Sequence, residues 1–208
     1  MARRIQWDKP IPQIYYFPNR PLLYPSINPD DIKALEASGK YIAEKKWNGD
    51  NCLIYTGQDP AHPTLWSRHK TILKYNPPDH VRDELSMFPK NSVINAELVN
   101  SKTKTVKDLF IVHSLLVWKG EPLYGKTWGD ARQILESQFF WDKLQTKHVV
   151  LSQTWSKGFL DLFNEADGEV IEGIVLKDPT GKLVISTTPI PDVSWMIKLR
   201  KPSKKYQY

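Results

Sequence analysis

Eight residues, Glu44-Lys45-Lys46-Trp47-Asn48-Gly49-Asp50-Asn51, constrain this chain most. They set a lysine pair and a tight-turn signal between two strand-like runs, Tyr41-Ile42-Ala43 and Cys52-Leu53-Ile54-Tyr55. Asn48-Gly49 predicts a two-residue hairpin turn, since both residue types tolerate positive φ. Lys46 precedes that turn by two residues, so rigid backbone at a strand end would aim its amine into a cleft between sheets. A lysine nucleophile must be neutral, which requires burial or nearby cations to lower its pKa. Lys45 is one candidate source of positive field. Taken alone, the pair reads more simply as two solvated strand-end lysines, and the rest of the chain has to decide.

The 208 residues, 40% hydrophobic with 8 Trp, 9 Tyr and 7 Phe, can bury a substantial core as a single domain. No apolar run reaches membrane-spanning length, and Met1-Ala2-Arg3-Arg4-Ile5-Gln6 lacks the apolar core of a signal peptide. A soluble cytoplasmic protein with no membrane partner is expected. Cys52 is the only cysteine, which excludes an intrachain disulfide and a Cys-based zinc cluster; its apolar surroundings make it a small core residue. A net charge of +6 suits a polyanionic partner without requiring one.

Along the chain, Pro10, Pro12, Pro18, Pro21 and Pro25 exclude helix or central strand from residues 8–27, leaving an extended segment whose Tyr15, Tyr16, Phe17 and Tyr24 pack across the body. Helices are expected after Asn28-Pro29, closed by Gly39; after Pro78-Asp79; over Thr127 to Trp141; and over Ser156 to Ala166. Strands are expected at 65–69, 92–99, 109–118, 170–178 and 194–201. Several carry charge: Arg68 ends the first, Glu97 interrupts the second, His113 the third, Glu172 and Lys177 flank the fourth, and the last runs into a tail containing Lys198, Arg200, Lys201, Lys204 and Lys205. A carboxylate inside an apolar strand must be paired, hydrogen-bonded, metal-bound or turned to solvent. Arg68 is a phosphate fork or an ordinary surface arginine.

Together these stretches resemble the covalent nucleotidyltransferase superfamily of ATP-dependent DNA and RNA ligases and mRNA capping enzymes. Glu44-Lys45-Lys46-Trp47-Asn48-Gly49 is similar to its ExKxDG element, Ser67-Arg68 to its SRxG element, and Ala96-Glu97-Leu98-Val99 to its GEL strand. His113 to Gly120 resembles the FDxL…G strand, Glu172-Gly173-Ile174-Val175-Leu176-Lys177 the EGxVxK element, and Trp195 to Arg200 the closing WxKxK strand. Asn48 replaces the usual Asp, Asn51 stands where many DNA ligases have Arg, Ala96 replaces Gly, His113 replaces the stacking aromatic, and Arg200 replaces the second Lys. Only eight residues follow Arg200, too few for the OB-fold that most of these ligases carry next.

The resemblance implies an α+β, ATP-grasp-like adenylyltransferase domain of mostly antiparallel sheets flanked by helices, with the nucleotide cleft between them and residues 1–208 as one unit. It implies that Lys46 takes AMP from ATP, passes it to a 5′-phosphate end, and that a 3′-hydroxyl displaces it. Glu44, Arg68, Glu97, His113, Glu172, Lys177, Lys198 and Arg200 would bind the nucleotide, with Lys177 and Lys198 lowering the Lys46 pKa. Glu97 and Glu172 would hold Mg²⁺, for which Mn²⁺ could substitute. Arg3, Arg4, Lys201, Lys204 and Lys205 would grip nicked duplex DNA, RNA or a hybrid, in a monomer with room for a partner that supplies the missing clamp. The competing readings are a GTP-using capping guanylyltransferase and an inactive nucleic-acid or nucleotide-binding module.

Overall fold

A computed structural model describes residues 14–24, 28–141 and 146–202. Arg3, Arg4, Lys204 and Lys205 lie outside the described residues. Among the described residues, four helices, α1 (Pro29–Ala37), α2 (Asp79–Leu85), α3 (Trp128–Trp141) and α4 (Phe159–Asn164), accompany ten strands in two sheets. The first sheet has the order β1-β10-β9-β2, from β1 (Pro21–Leu23), β10 (Val193–Arg200), β9 (Ile171–Lys177) and β2 (Ile42–Trp47). The second runs β4-β3-β5-β6-β7, from β4 (Thr64–Ser67), β3 (Asp50–Thr56), β5 (Ser92–Val99), β6 (Leu109–Trp118) and β7 (Glu121–Pro122), with β8 (Val149–Leu151) parallel to β6. Pairing is antiparallel except at β1 and β8. This is the α+β arrangement expected.

Strand alternation assigns the faces. Ala43, Ile174, Leu176 and Leu199 turn one face of the first sheet onto Ile32 of α1 and Phe159 and Leu162 of α4. The second sheet buries Cys52, Ile54, Ile94, Ala96, Phe110 and Val112 against α2 and α3. Its opposite face carries Leu53, Tyr55, Trp66 and Val93 under Tyr15 and Tyr16. Residues 14–24, the described part of the proline-rich segment, include the aromatic strap expected: Tyr15 Oη donates to Ser67 O at 2.6 Å, and Tyr16 N donates to Tyr55 Oη at 2.8 Å.

Two expectations need correction. Asn48-Gly49 does not close a hairpin, because β2 pairs with β9 while β3 pairs with β4 and β5. The chain crosses between sheets there. Asn48 N donates to Val170 O at 2.9 Å, Asn48 Nδ2 donates to Glu169 O at 2.7 Å, and a Cβ on Gly49 would lie 2.5 Å from Leu98 O. Close approach, rather than positive φ, requires this glycine. The second correction is α4, which begins at Phe159 instead of Ser156. Gly158 has φ 75°, and Glu36 of α1 caps the new start by accepting from Gly158 N at 3.0 Å and Phe159 N at 2.8 Å. A cap delivered from another helix leaves no local signal.

Gly173 holds β9 between β2 and β10 at φ 149°, with Leu199 O only 2.1 Å from where a Cβ would stand. Gly173→Ala is expected to cost about 3 kcal/mol or more in urea unfolding. Gly39→Ala, at φ 64° but with nothing within 4 Å, should cost about 1 kcal/mol. Equal costs would contradict the close β9–β10 approach.

Candidate active site

Lys46, Gly173 and Arg200 stand opposite one another across β2, β9 and β10, and Glu44, Val175 and Lys198 form the next row of that kind. Directly opposed residues share a face. Glu44, Lys46, Lys198 and Arg200 therefore line one face of the first sheet, and Lys45 points to the other. Its ammonium lies 3.6 Å from Glu165 and 5.7 Å from the centre of the Trp155 ring. The field expected from Lys45 is thus directed away from Lys46.

Glu172 reaches this face through a bulge. Lys46 pairs with Gly173 and Trp47 with Ile171, so Glu172 is the extra residue. Lys46 Nζ donates to Glu172 Oε2, and Arg200 Nε lies 3.2 Å from the same oxygen. Burial lowers the Lys46 pKa; the Glu172 carboxylate opposes that shift, and the Arg200 guanidinium adds to it. Lys198 is lowered by burial too, with its ammonium 3.9 Å from Asp192 Oδ2.

The second sheet contributes Glu97. Its Oε1 accepts from Gly49 N at 3.1 Å, so the inter-sheet crossing anchors it beside the lysine. Burial pushes this carboxyl up to about 7, against the attraction of Lys46 and Lys102. Lys102 was not anticipated: its Nζ lies 2.9 Å from Asp50 Oδ1 and also donates to Gly49 O. The run Lys102-Thr103-Lys104-Thr105-Val106-Lys107 after the Glu97 strand was the available signal.

A second cluster occupies the far end of the same face. Lys177 pairs with Ile42 and Met196, four residues along β2 from Lys46. Lys177 Nζ donates to Glu44 Oε2 at 2.8 Å and to His113 O at 3.1 Å, 4.8 Å above the Trp128 ring. Its side chain is 2% exposed, so it is a partner for Glu44 rather than a neighbour of Lys46. Burial lowers its pKa. His113 occupies a β6 bulge, since Asn95 pairs with Ser114 and Ala96 with Val112. Burial and the Lys177 charge hold its imidazole well below the usual range, so the ring is neutral. Arg132 of α3, also unanticipated, donates from Nη1 to Ser152 O at 2.6 Å and lies 3.9 Å from Glu44 Oε1.

The remaining candidates are elsewhere. Arg68 is exposed in the turn after β4, where its Nε donates to His69 Nε2 at 3.1 Å. Lys201 donates to Asn164 O and Ala166 O, so its ammonium caps the end of α4 instead of standing free for nucleic acid. Along the outer edge of β2 runs a groove of about 580 Å³, lined by Lys45, Trp47, Ile111, Leu151, Trp155 and Ile171 among others.

No protein-family model and no curated protein matches the sequence. Solved structures do. The ligase domain of M. tuberculosis LigD aligns with a TM-score of 0.62 at 17% identity, over 88% of this chain and 60% of that one. A Lig E DNA ligase aligns at 0.59 and 13%, over 90% and 70%. The structure named Pmar-Lig_PreS3 aligns at 0.60 and 16%, over 90% and 47%. This chain thus spans between about half and about two-thirds of their lengths. Its fold is that of these ligase structures. No helix among the described residues is long and apolar enough to cross a membrane.

Because Glu97 is raised from 4.5 to about 7, folding disfavours its ionised form. That cost is absent below pH 4.5, grows up to about 7 and stays constant above. Glu97→Gln is therefore expected to stabilise the fold at pH 8 by about 1–2 kcal/mol, discounting for the partial exposure of the side chain. At pH 4 the two proteins should melt together. Identical melting at pH 8 would contradict a desolvated carboxylate.

Proposed function

We propose that this chain is an ATP-dependent polynucleotide ligase that joins 5′-phosphate and 3′-hydroxyl ends through a lysyl-AMP intermediate on Lys46. The observation that carries the proposal is a lysine with a lowered pKa, bonded to Glu172 and flanked by Arg200 and Lys198, with Glu97 beside it from the other sheet. A structural ion pair needs no such company.

In this reading Glu172 orients Lys46 Nζ. The neutral amine attacks the α-phosphorus, forming a P–N bond as the P–O bond to pyrophosphate breaks. Arg200 and Lys198 bind the α-phosphate and stabilise its developing charge. AMP then passes to a 5′-phosphate, and a 3′-hydroxyl displaces it. Glu97 and Glu172 suit Mg²⁺ or Mn²⁺, because two carboxylates with substrate oxygens and water complete a shell for such ions, and a buried carboxylate raised to about 7 gains from a cation. The bound ion would offset phosphate charge.

Glu44 Oε1 is buried without a hydrogen bond of its own, 3.9 Å from Arg132 Nη1. It is an acceptor for the exocyclic amine of adenine, whereas guanine presents an oxygen at that position. This favours ATP over the GTP of a capping enzyme. The two sheets clasp the nucleotide in an ATP-grasp-like manner, and residues 1–208 act as one nucleotidyltransferase domain, a cytoplasmic monomer. Arg68, Arg3, Arg4, Lys204 and Lys205 contribute positive charge toward the nucleic acid, DNA, RNA or a hybrid, and a partner could add a clamp.

Nicked duplexes test this. Wild type should seal at least one of the DNA, RNA and hybrid substrates, with Lys46→Ala slower by about 10³-fold or more. If several phosphates are neutralised, affinity should fall steeply with salt, by about tenfold or more between 50 and 200 mM. Full sealing by Lys46→Ala would sink the proposal.

A further inference from the structure

Beyond Lys198 the cation track continues. Arg20 immediately precedes β1, and its backbone is fixed on both sides. Asn19 exchanges two hydrogen bonds with Val184, at 3.0 and 2.9 Å, and Val193 N donates to Arg20 O at 2.8 Å. Arg20 Nη2 lies 3.0 Å from Asp192 Oδ1 and donates to Ile190 O at 3.2 Å. The other oxygen of Asp192 faces Lys198 Nζ at 3.9 Å. One carboxylate therefore spans two cations, as Glu172 spans Lys46 and Arg200. Away from the Glu44–Lys177 pair, the face carries Lys46, Arg200, Lys198 and Arg20 against Glu172 and Asp192. The charge on Lys198 is opposed by Arg200, Lys46 and Arg20 together, so these groups share one field.

We infer that Arg20, joined to Lys198 through Asp192, extends the anion site beyond the α-phosphate, takes the β- and γ-phosphates of the nucleoside triphosphate and then holds the departing pyrophosphate. The inference rests on the ligase reading of Lys46 and deepens it. In-line attack by Lys46 Nζ sends the leaving group away from the amine. The track leads away from Lys46, from its row with Arg200 to Lys198 and out to Arg20 at the β1 edge. Arg20 retains 43% side-chain exposure and Lys198 22%, so both can reach a ligand. An arginine fork suits two oxygens of a terminal phosphate. Asp192 keeps the cations apart in the free protein and competes with the phosphate for them.

Calorimetric titration of the full chain carrying Lys46→Ala, which has no amine to react, with ATP, ADP and AMP reads the site directly. Adding Arg20→Ala should weaken ATP by about tenfold and leave AMP within about twofold. Arg20→Lys should recover part of the loss. Asp192→Asn should tighten ATP several-fold and AMP by less, a gain that a folding defect does not produce. Equal loss for ATP and AMP, no loss for either, or a loss confined to nicked duplex would overturn the inference and leave the ligase proposal standing. A Lys46→Ala chain that binds no adenine nucleotide would overturn both.

Discussion

The candidate site depends on one covalent step, the passage from Trp47 to Asp50 between sheets. Lys46 belongs to a strand of the first sheet and Glu97 to a strand of the second, and no pairing joins the two at that point. The crossing brings them together because Gly49 lies against the β5 backbone, where a side chain would collide with Leu98 O, and its N–H is donated to Glu97. Asn48 ties the same segment to Glu169 and Val170 beside the Glu172 bulge. One dipeptide thus sets the nucleophile candidate against carboxylates from both sheets.

Charge pairing then organises the face. Glu172 and Asp192 each lie between two cations, and Glu44 lies between Lys177 and Arg132. Such pairs contribute little net stability, because desolvation offsets much of the attraction. Their effect is positional: each carboxylate holds two long cationic chains in place. The Glu44–Lys177 pair closes the inner end of the face and packs on Trp128 and the core beneath it, while the Lys46 end stays open.

Much of this was legible in the sequence. The helix start at Asn28, where Asp31 N donates to Asn28 Oδ1 at 2.9 Å, followed from cap chemistry alone. So did the buried Cys52 and the aromatic strap, and the ordered motifs named Lys46, Glu97, Glu172 and Arg200, which the structure brings to one place. What escaped were relations set by tertiary pairing. Turn residues mark where a chain bends but not which sheet each flanking strand joins, so Asn48-Gly49 read as a hairpin. Two bulges, at His113 and Glu172, change strand parity without any residue that announces it. Lys177 looked like a phosphate ligand because its partner Glu44 lies 133 positions away. Arg20, Arg132 and Asp192 stand in stretches with no motif.

The central claim is that the buried amine of Lys46 forms the covalent bond to AMP. Peptide mapping by mass spectrometry, after incubating the full chain with ATP and Mg²⁺, tests it at the atom concerned. One added AMP is expected on the peptide containing Lys46, released by pyrophosphate and absent from Lys46→Ala. An adduct on another residue, or a folded chain that takes up no AMP under these conditions and carries none as purified, would contradict it.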